Sequence, residues 1–303
     1  MKIVSYGPER AEQPGVLIDE HYVVPLARIL TKSGYPAFDT NAILSLLPYL
    51  QPVIESALRS DVQKIDIKTV RLGPPVPRPE KIIVAGGNYR SHVDEASGMK
   101  NAPAPSEPLL IFKPSNTVIG PFDPLIRPSV TQQLDYETEI VVVIGRGGRN
   151  IPRERAYDHV AGYMIGNDVT ARDLAFKEVH LSPLFAQITK AKGIPTGAPT
   201  GPWIATKDEI PDPHKLRLRG WVNGELRQDG DSSEMICDIP GLIENFSRVI
   251  EFSPGDFIYT GTGTGCGAFQ KPTPKYLFAG DVVRMEITGL GVMETPIADE
   301  VST

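Results

Sequence analysis

Short apolar stretches alternate with turns rich in glycine and proline along the chain, a pattern typical of strand-rich proteins. The first 70 residues contain three stretches with strand character, at residues 2–6, 15–18 and 22–26. Two amphipathic stretches with the apolar spacing of helices follow, at residues 40–47 and 53–59. Residues 71–80 contain four prolines, which exclude a helix and favour an extended connector. We therefore predict a small N-terminal α+β domain, residues 1–74, and a larger domain, residues 75–303.

The pattern of the larger domain also predicts mostly strands. Buried strands are predicted at residues 81–85, 109–112, 136–145 and 163–165, with a short helix at residues 156–160. Near the end, two Gly-Asp turns each precede an apolar strand, at residues 255–258 and 280–283. Strands and helices do not alternate regularly, which argues against a Rossmann fold or a TIM barrel. The pattern predicts a β-rich α+β fold.

Composition and charge narrow the classes of function. The net charge of −6 argues against nucleic acid as a partner, because phosphate binding needs a basic face, but it permits a small anionic substrate. No apolar run is long enough to span a bilayer, and no signal peptide is visible, so no membrane partner is expected. The two cysteines, Cys237 and Cys266, are expected to be reduced thiols in a cytoplasmic protein.

The strongest strand begins with acidic residues. Side chains alternate between the two faces of a strand, so Glu137 and Glu139 point the same way, as do Val141 and Val143. A buried pair of carboxylates needs a cation or a shared proton, and a divalent ion with oxygen ligands would satisfy both. The alternative is a solvated acidic face. Asp168 follows the next predicted strand, either as a third ligand or as a helix N-cap.

Two further segments carry candidate catalytic groups. His92 and Glu95 are three residues apart on a predicted helix that begins near Ser91, with Ser91 and Asp94 arranged as in a capping motif. A carboxylate beside an imidazole suits a general base, and the alternative is an incidental ion pair. Lys192 enters a glycine-containing loop, where it could stabilise an oxyanion or be a solvated charge.

The glycine-rich segment 261–268 loosely matches a dinucleotide-binding fingerprint. That fingerprint requires a helix to follow, and Pro272 and Pro274 come too soon for one. We interpret the segment as a backbone loop that lines a pocket, and no organic cofactor is expected.

Together and in this order, these segments resemble the fumarylacetoacetate hydrolase family from about residue 81 to residue 297. The most specific part is a Glu-x-Glu strand, residues 136–145, combined with Asn-Asp-x-Thr-Ala-Arg-Asp, residues 167–173. The motifs Gly-x-Asn-Tyr-x-x-His-x-x-Glu, residues 86–95, and Gly-Asp-x-Ile-x-Thr-Gly-Thr, residues 255–262, agree. The resemblance implies a mixed β-sandwich roll, usually paired as a homodimer.

The resemblance also implies roles for individual residues. The implied ligands of a magnesium ion, for which manganese or calcium can substitute, are Glu137, Glu139 and Asp168. The implied catalytic residues are the water-activating pair and the family lysine, His92, Glu95 and Lys192. Substrate contacts are implied at Asn88, Arg90, Gly261 and Thr262. Arg172 belongs to the matching motif and is expected to support the metal site.

In function, the resemblance implies a magnesium-dependent hydrolase that cleaves a carbon–carbon bond of a small 2,4-dioxo acid and releases pyruvate or a related 2-oxo acid. An alternative is a decarboxylase or keto–enol tautomerase of an oxaloacetate-like acid, or a hydratase or isomerase of a 2-oxo-enoate. Two positions depart from the family pattern. Ala175 stands where relatives often carry glutamine, and Gly263 stands where they often carry proline. The motif match therefore predicts the metal site more closely than it predicts the substrate.

Overall fold

The computed structural model describes residues 1–301, which form strands and a few short helices. The strands are β1 Lys2–Tyr6, β2 Gln13–Ile18, β3 Tyr22–Pro25, β4 Ile65–Asp66, β5 Leu72–Gly73, β6 Ile82–Gly86, β7 Leu109–Lys113, β8 Val118–Ile119, β9 Leu125–Arg127, β10 Leu134–Asp135, β11 Thr138–Ile144, β12 Val160–Asn167, β13 Thr170–Ala171, β14 Ala198–Thr206, β15 Arg217–Val222, β16 Glu225–Asp231, β17 Phe257–Thr262, β18 Val282–Ile287 and β19 Gly291–Asp299. The α-helices are α1 Leu26–Leu30, α2 Thr40–Ser45, α3 Leu47–Leu58, α4 Arg90–Ser97, α5 Arg172–Ala175, α6 Ile188–Lys192 and α7 Ile239–Ser247. Within this described part, each helix is too short or too polar to cross a bilayer.

One large sheet of twelve strands organises the molecule. Ten of its strands follow the order β4-β3-β2-β1-β14-β12-β11-β17-β6-β7, while β5 pairs with β1 and β8 with β14. A second sheet has the order β16-β15-β18-β19-β9, and β10 pairs with β13 in a short ribbon. The predicted β-rich α+β class is confirmed.

Strand β11 lies inside the large sheet and is covered on both faces. Its residues from Ile140 to Ile144 are fully buried. The even-numbered side chains join a core formed with α7 and the five-stranded sheet. The odd-numbered ones, Val141 and Val143, join a second core with side chains of β6 and β17. Burial on both faces explains the unbroken aliphatic run, and the same alternation places Glu139 on the side of Val141.

The N-terminal segment has a core of its own and also continues the main sheet. Strands β2 and β3 and helices α1 to α3 enclose one apolar cluster, whose members include Val16, Leu26, Ile43 and Ile54. Strand β1 pairs antiparallel with β14, with Ile3 opposite Ile204, so the sheet runs through the predicted boundary. The division near residue 74 stays a prediction.

A half-buried arginine joins the N-terminal segment to the rest of the protein. Arg71 Nε donates to Asp123 Oδ1 over 2.8 Å, and its Nη1 donates to Glu12 Oε1 over 2.9 Å. Both carboxylates are mostly or fully buried, at 19% and 4% side-chain exposure. The guanidinium therefore neutralises two carboxylates that would otherwise be buried without a cation.

The predicted capping motif was wrong, while the short helix predicted after β11 is present in a different form. Helix α4 begins at Arg90 without a side-chain cap. Ser91 Oγ instead accepts a hydrogen bond from Thr264 N, and Asp94 accepts from Asn101 N and Ala102 N. The helix predicted at residues 156–160 belongs to a 3-10 helix, Arg153–His159. The side chains of the expected capping motif thus bond the loop after β17 and the segment after α4 instead.

Replacing Arg71 by methionine should lower the free energy of unfolding by about 1–2 kcal/mol, because two poorly hydrated carboxylates lose their cation. Chemical denaturation measures this change. Arg59→Met is the matched control, since Arg59 is exposed and should change stability by less than about 0.5 kcal/mol. Equal effects of the two substitutions would show that the Arg71 bridge does not stabilise the protein.

Candidate active site

Three carboxylates meet where β11 begins and β12 ends. Glu139 lies on β11, opposite Gly166 of the antiparallel neighbour β12. Glu137 lies in the break between β10 and β11, and Asp168 immediately follows β12. Asp168 N donates to Glu137 O over 3.0 Å, and this bond joins the two segments at this corner of the sheet. Ligand oxygens of the three residues lie within 4.8 Å of one another.

The burial of these carboxylates decides between the two interpretations of the acidic strand. The exposures of Glu137, Glu139 and Asp168 are 4%, 1% and 0%. A solvated acidic face is therefore wrong. The N-cap interpretation of Asp168 is also wrong, because the hydrogen bonds that its carboxylate receives come from two lysines.

Lys192 lies within this acidic cluster. Its ammonium group donates to Glu137 Oε2 over 2.9 Å, to Thr170 Oγ1 over 3.0 Å, and to Asp168 Oδ2. Helix α6 ends at this residue, and only 6% of it is exposed, so the solvated-charge interpretation is wrong. The three donors of the ammonium group are all taken. The role predicted for Lys192 toward an oxyanion stays a prediction, and these contacts leave its positive charge as the means of acting on a ligand.

Two more cations complete the surroundings of the cluster. Lys113, at the end of β7, donates to Asp168 Oδ1 over 3.0 Å and to Val169 O over 2.9 Å. Arg172, which opens α5, donates to Glu137 Oε1 over 2.6 Å and to Asp135 Oδ2 over 2.8 Å. The support expected from Arg172 is thus present as a pair of hydrogen bonds. The sequence analysis did not predict a role for Lys113. The one feature that could have indicated it is the position of this lysine at the end of an apolar strand.

The electrostatics of the cluster distinguish Glu139 from Glu137. Burial alone would raise the pKa of Glu137, but Lys192 and Arg172 hold it well below its usual value. Burial also works against the charge of Lys192, yet Asp168 and Glu137 raise its pKa. The pKa of Glu139 is raised well above its usual value, by burial and then by Asp168 and Glu137. A further positive charge close to Glu139 would favour its ionised form.

The surroundings of Glu139 fit a bound cation. Among the residues that the structure describes, no cationic side chain pairs with Glu139, and its carboxylate accepts one hydrogen bond, from Gly261 N over 2.6 Å. Gly261 has φ of +97°, a conformation that glycine adopts easily and that lets its N–H approach. A set made only of carboxylate oxygens suits a hard divalent ion such as magnesium, manganese or calcium. The identity of the ion stays a prediction.

His92 lies beside the cluster and contacts the side chains of Phe269 and Cys266. Its ring meets that of Phe269 edge-on, with centroids 5.5 Å apart, and Cys266 Sγ lies 3.9 Å from Nδ1. Burial lowers the pKa of His92, and the nearby charge of Glu137 opposes this shift only in part. The imidazole is therefore neutral at neutral pH, the form that a general base requires.

Glu95 is on the same helix but has other partners. Its carboxylate accepts from Thr264 Oγ1 over 2.7 Å and from Gly265 N over 3.0 Å. Over residues 1–301, no hydrogen bond joins Glu95 to His92. The paired role predicted from their spacing stays a prediction, and in this structure Glu95 holds the loop after β17.

Several side chains predicted to contact substrate already form hydrogen bonds within the protein. Asn88 donates to Cys237 O over 2.9 Å and to Thr260 O over 2.8 Å. Thr262 Oγ1 donates to Thr138 O and accepts from Gln228, while Arg90 donates to Ala102 O over 2.6 Å. These bonds fix the loops around the cluster, and contacts with substrate stay predictions.

Replacing Glu139 by glutamine should weaken binding of Mn²⁺ by about 100-fold or more, because an ionised ligand is lost from an oxygen-only site. Isothermal titration calorimetry, supported by electron paramagnetic resonance of the free ion, measures the affinity. Glu294→Gln is the matched control, since Glu294 is exposed on β19. Unchanged Mn²⁺ affinity in Glu139→Gln would rule out this cluster as the ion site.

Comparison with known proteins places this geometry in a family. The model of the family described as fumarylacetoacetate (FAA) hydrolase, C-terminal, matches residues 81–298. Oxaloacetate tautomerase fahd2, mitochondrial, of Xenopus laevis is 40% identical over 243 residues, which are 80% of this chain and 73% of that protein. Oxaloacetate tautomerase YisK of Bacillus subtilis (strain 168) is 41% identical over 233 residues, 76% of this chain and 74% of that protein.

A solved structure agrees over nearly the whole chain. Maleylpyruvate hydrolase from Sphingobium sp. SYK-6, in complex with manganese (II) ion and pyruvate, has a TM-score of 0.80 and 27% sequence identity, and the match covers 99% of this chain and 100% of that one. The resemblance predicted from the motifs is confirmed: the chain belongs to the fumarylacetoacetate hydrolase family of enzymes.

Proposed function

We propose that this protein is a keto–enol tautomerase of oxaloacetate or a closely similar 2-oxo dicarboxylic acid. The observation that carries this proposal is the bonding of Glu95 to Thr264 and Gly265. It leaves His92 as a neutral imidazole without a carboxylate partner. A neutral imidazole is in the form that takes a proton from carbon, and the water-activating pair of His92 with Glu95 that hydrolysis would use is not formed by these bonds.

The relatives support the same choice. The proteins from Xenopus laevis and Bacillus subtilis, at 40% and 41% identity, are both named oxaloacetate tautomerases. Tautomerisation was an alternative at the level of the sequence, where carbon–carbon hydrolysis was the main prediction. Hydrolysis is unconfirmed and becomes the second candidate, supported by the likeness to maleylpyruvate hydrolase.

The proposed reaction moves one proton and breaks no carbon–carbon bond. In the keto form, the imidazole of His92 takes a proton from C3, and the electron pair of that bond moves toward the oxygen on C2. The imidazolium then returns a proton to this oxygen, which yields the enol. The charge of Lys192 favours the negative charge on the intermediate, and the reverse reaction uses the same groups.

The acidic cluster would support this chemistry through a bound metal. A divalent ion held by Glu137, Glu139 and Asp168 would act as a Lewis acid and draw electron density from the 2-oxo group. Lys113 and Arg172 hold the carboxylates of Asp168 and Glu137 in place through hydrogen bonds. The low exposure of the cluster excludes bulk water, which strengthens each of these electrostatic effects.

The test is the conversion of enol-oxaloacetate to the keto form, followed by its ultraviolet absorbance, with and without Mg²⁺ or Mn²⁺. We expect the protein to accelerate conversion above the spontaneous rate, and His92→Ala to lower kcat by about 100-fold or more. His21→Ala is the matched control, because His21 is an exposed residue of the β2–β3 turn. Release of pyruvate from an acylpyruvate without acceleration of tautomerisation would favour the hydrolase instead.

The dependence of kcat/KM on pH provides a second prediction. The neutral imidazole is the active form, and burial places the pKa of His92 below its ordinary value of 6.5. Activity should therefore be constant around neutral pH and fall as pH drops through this lowered pKa. A fall whose midpoint lies above pH 6.5 and that disappears in His92→Ala would contradict the assigned environment of His92.

A further inference from the structure

The loop after β17, residues 263–269, connects helix α4 to the acidic cluster. On the side of α4, Glu95 accepts hydrogen bonds from Thr264 and Gly265. On the side of the cluster, Asp135 accepts from Gly267 N over 2.7 Å and from Ala268 N over 3.1 Å. Asp135 is in turn bonded to Arg172, so both ends of the loop are fixed to parts of the candidate active site.

Two side chains of this loop contact His92 from different directions. Cys266 places its sulfur 3.9 Å from Nδ1 of the imidazole. Phe269 meets the imidazole at 75° between ring planes and also lies under the Arg172 guanidinium, 5.8 Å from the ring centroid. Cys266 is fully buried. Among the described residues, the Cys266 sulfur is the only polar group within hydrogen-bonding reach of the His92 ring.

We propose that Cys266 and Phe269 are positioning residues, which hold the His92 imidazole so that Nδ1 bonds the Cys266 sulfur and Nε2 remains free for the substrate. This inference deepens the proposed function, and its kinetic part rests on it.

The contacts of the sulfur favour one tautomer of His92. The Cys266 thiol can donate its hydrogen to Gly263 O, 4.0 Å away, while Gln228 Nε2 donates to the sulfur over 3.7 Å. With the thiol hydrogen used in this way, the sulfur accepts the hydrogen on Nδ1 of His92. A histidine protonated on Nδ1 carries its lone pair on Nε2, as a base directed at the substrate must.

The state of the thiol agrees with this arrangement. Burial and then the charge of Glu137 raise the pKa of Cys266 well above its usual value. The sulfur is thus a neutral thiol at neutral pH, with one hydrogen to donate and the capacity to accept. Glu95 contributes indirectly, because it fixes the loop that carries Cys266. Within residues 1–301, its carboxylate has no hydrogen bond to the imidazole.

The direct test is the tautomer of His92 in the full-length protein, measured by ¹⁵N chemical shifts of labelled histidine. The chain has five histidines, and the signal missing from His92→Ala assigns the one of interest. We expect wild-type His92 to be protonated on Nδ1, and Cys266→Ala to show a mixture of tautomers. Cys237→Ala is the matched control, because it makes the same change at the other cysteine, and it should leave the signal unchanged.

The kinetic test uses whichever reaction the wild-type protein catalyses, tautomerisation or hydrolysis. Cys266→Ala should lower kcat by about 10-fold or more with KM changed less than about 2-fold, because a misplaced base affects the chemical step more than binding. Cys266→Ser keeps a donor and acceptor and should recover most of kcat. Phe269→Leu tests the ring contact in the same way and provides a second variant if Cys266→Ala does not fold.

The outcomes separate this inference from the proposed function. If the wild-type protein does not tautomerise oxaloacetate but Cys266→Ala changes the His92 tautomer, the proposed function fails and the positioning role stands. If the tautomer and kcat are both unchanged in folded Cys266→Ala and Phe269→Leu, the positioning role is wrong. Equal losses in Cys266→Ser and Cys266→Ala, with an unchanged tautomer, would also overturn it, since they would indicate a packing effect.

Discussion

The burial of three carboxylates at one corner of the large sheet is the constraint on which the site depends. Moving an ionised carboxylate out of water is costly unless cations and hydrogen bonds replace the lost hydration. Lys192 and Arg172 do this for Glu137, and Lys113 joins Lys192 at Asp168. Within residues 1–301, Glu139 receives a single hydrogen bond, from a backbone N–H. This unequal compensation is what a corner that could hold one additional cation would show.

Several separate elements are positioned by this constraint. Strand β7 ends in Lys113, α5 begins with Arg172, and α6 ends in Lys192, so three elements direct a cation toward the corner. The loop after β17 provides the Gly261 N–H and also reaches Asp135 through Gly267. A one-residue slip of β11 would carry Glu139 to the opposite face of the sheet, toward the apolar core of Ile140 and Val142, so the register of β11 places the carboxylates.

The same site can serve different reactions, since one fold often hosts several chemistries. Enolate formation next to a 2-oxo acid is common to tautomerisation and to carbon–carbon cleavage. What differs is the task of the base, which either exchanges a proton with carbon or activates water. The bonds of Glu95 to the loop, and the contacts of Cys266 and Phe269 with His92, therefore bear directly on the choice of reaction.

The sequence alone determined the strand-rich class, about half of the strands in the described residues, and the residues that form the acidic cluster, because these follow from local alternation and from motifs within a few residues. It also predicted catalytic roles for His92 and Lys192, which stay predictions. Tertiary structure alone decided that Lys113 joins Asp168, 55 residues away, and that Glu95 bonds to Thr264, 169 residues away. Local spacing suggested that Glu95 pairs with His92 on one helical face. A side chain bonds whichever donor the folded chain brings nearest, and that donor came from a loop whose position depends on the pairing of β11 with β17.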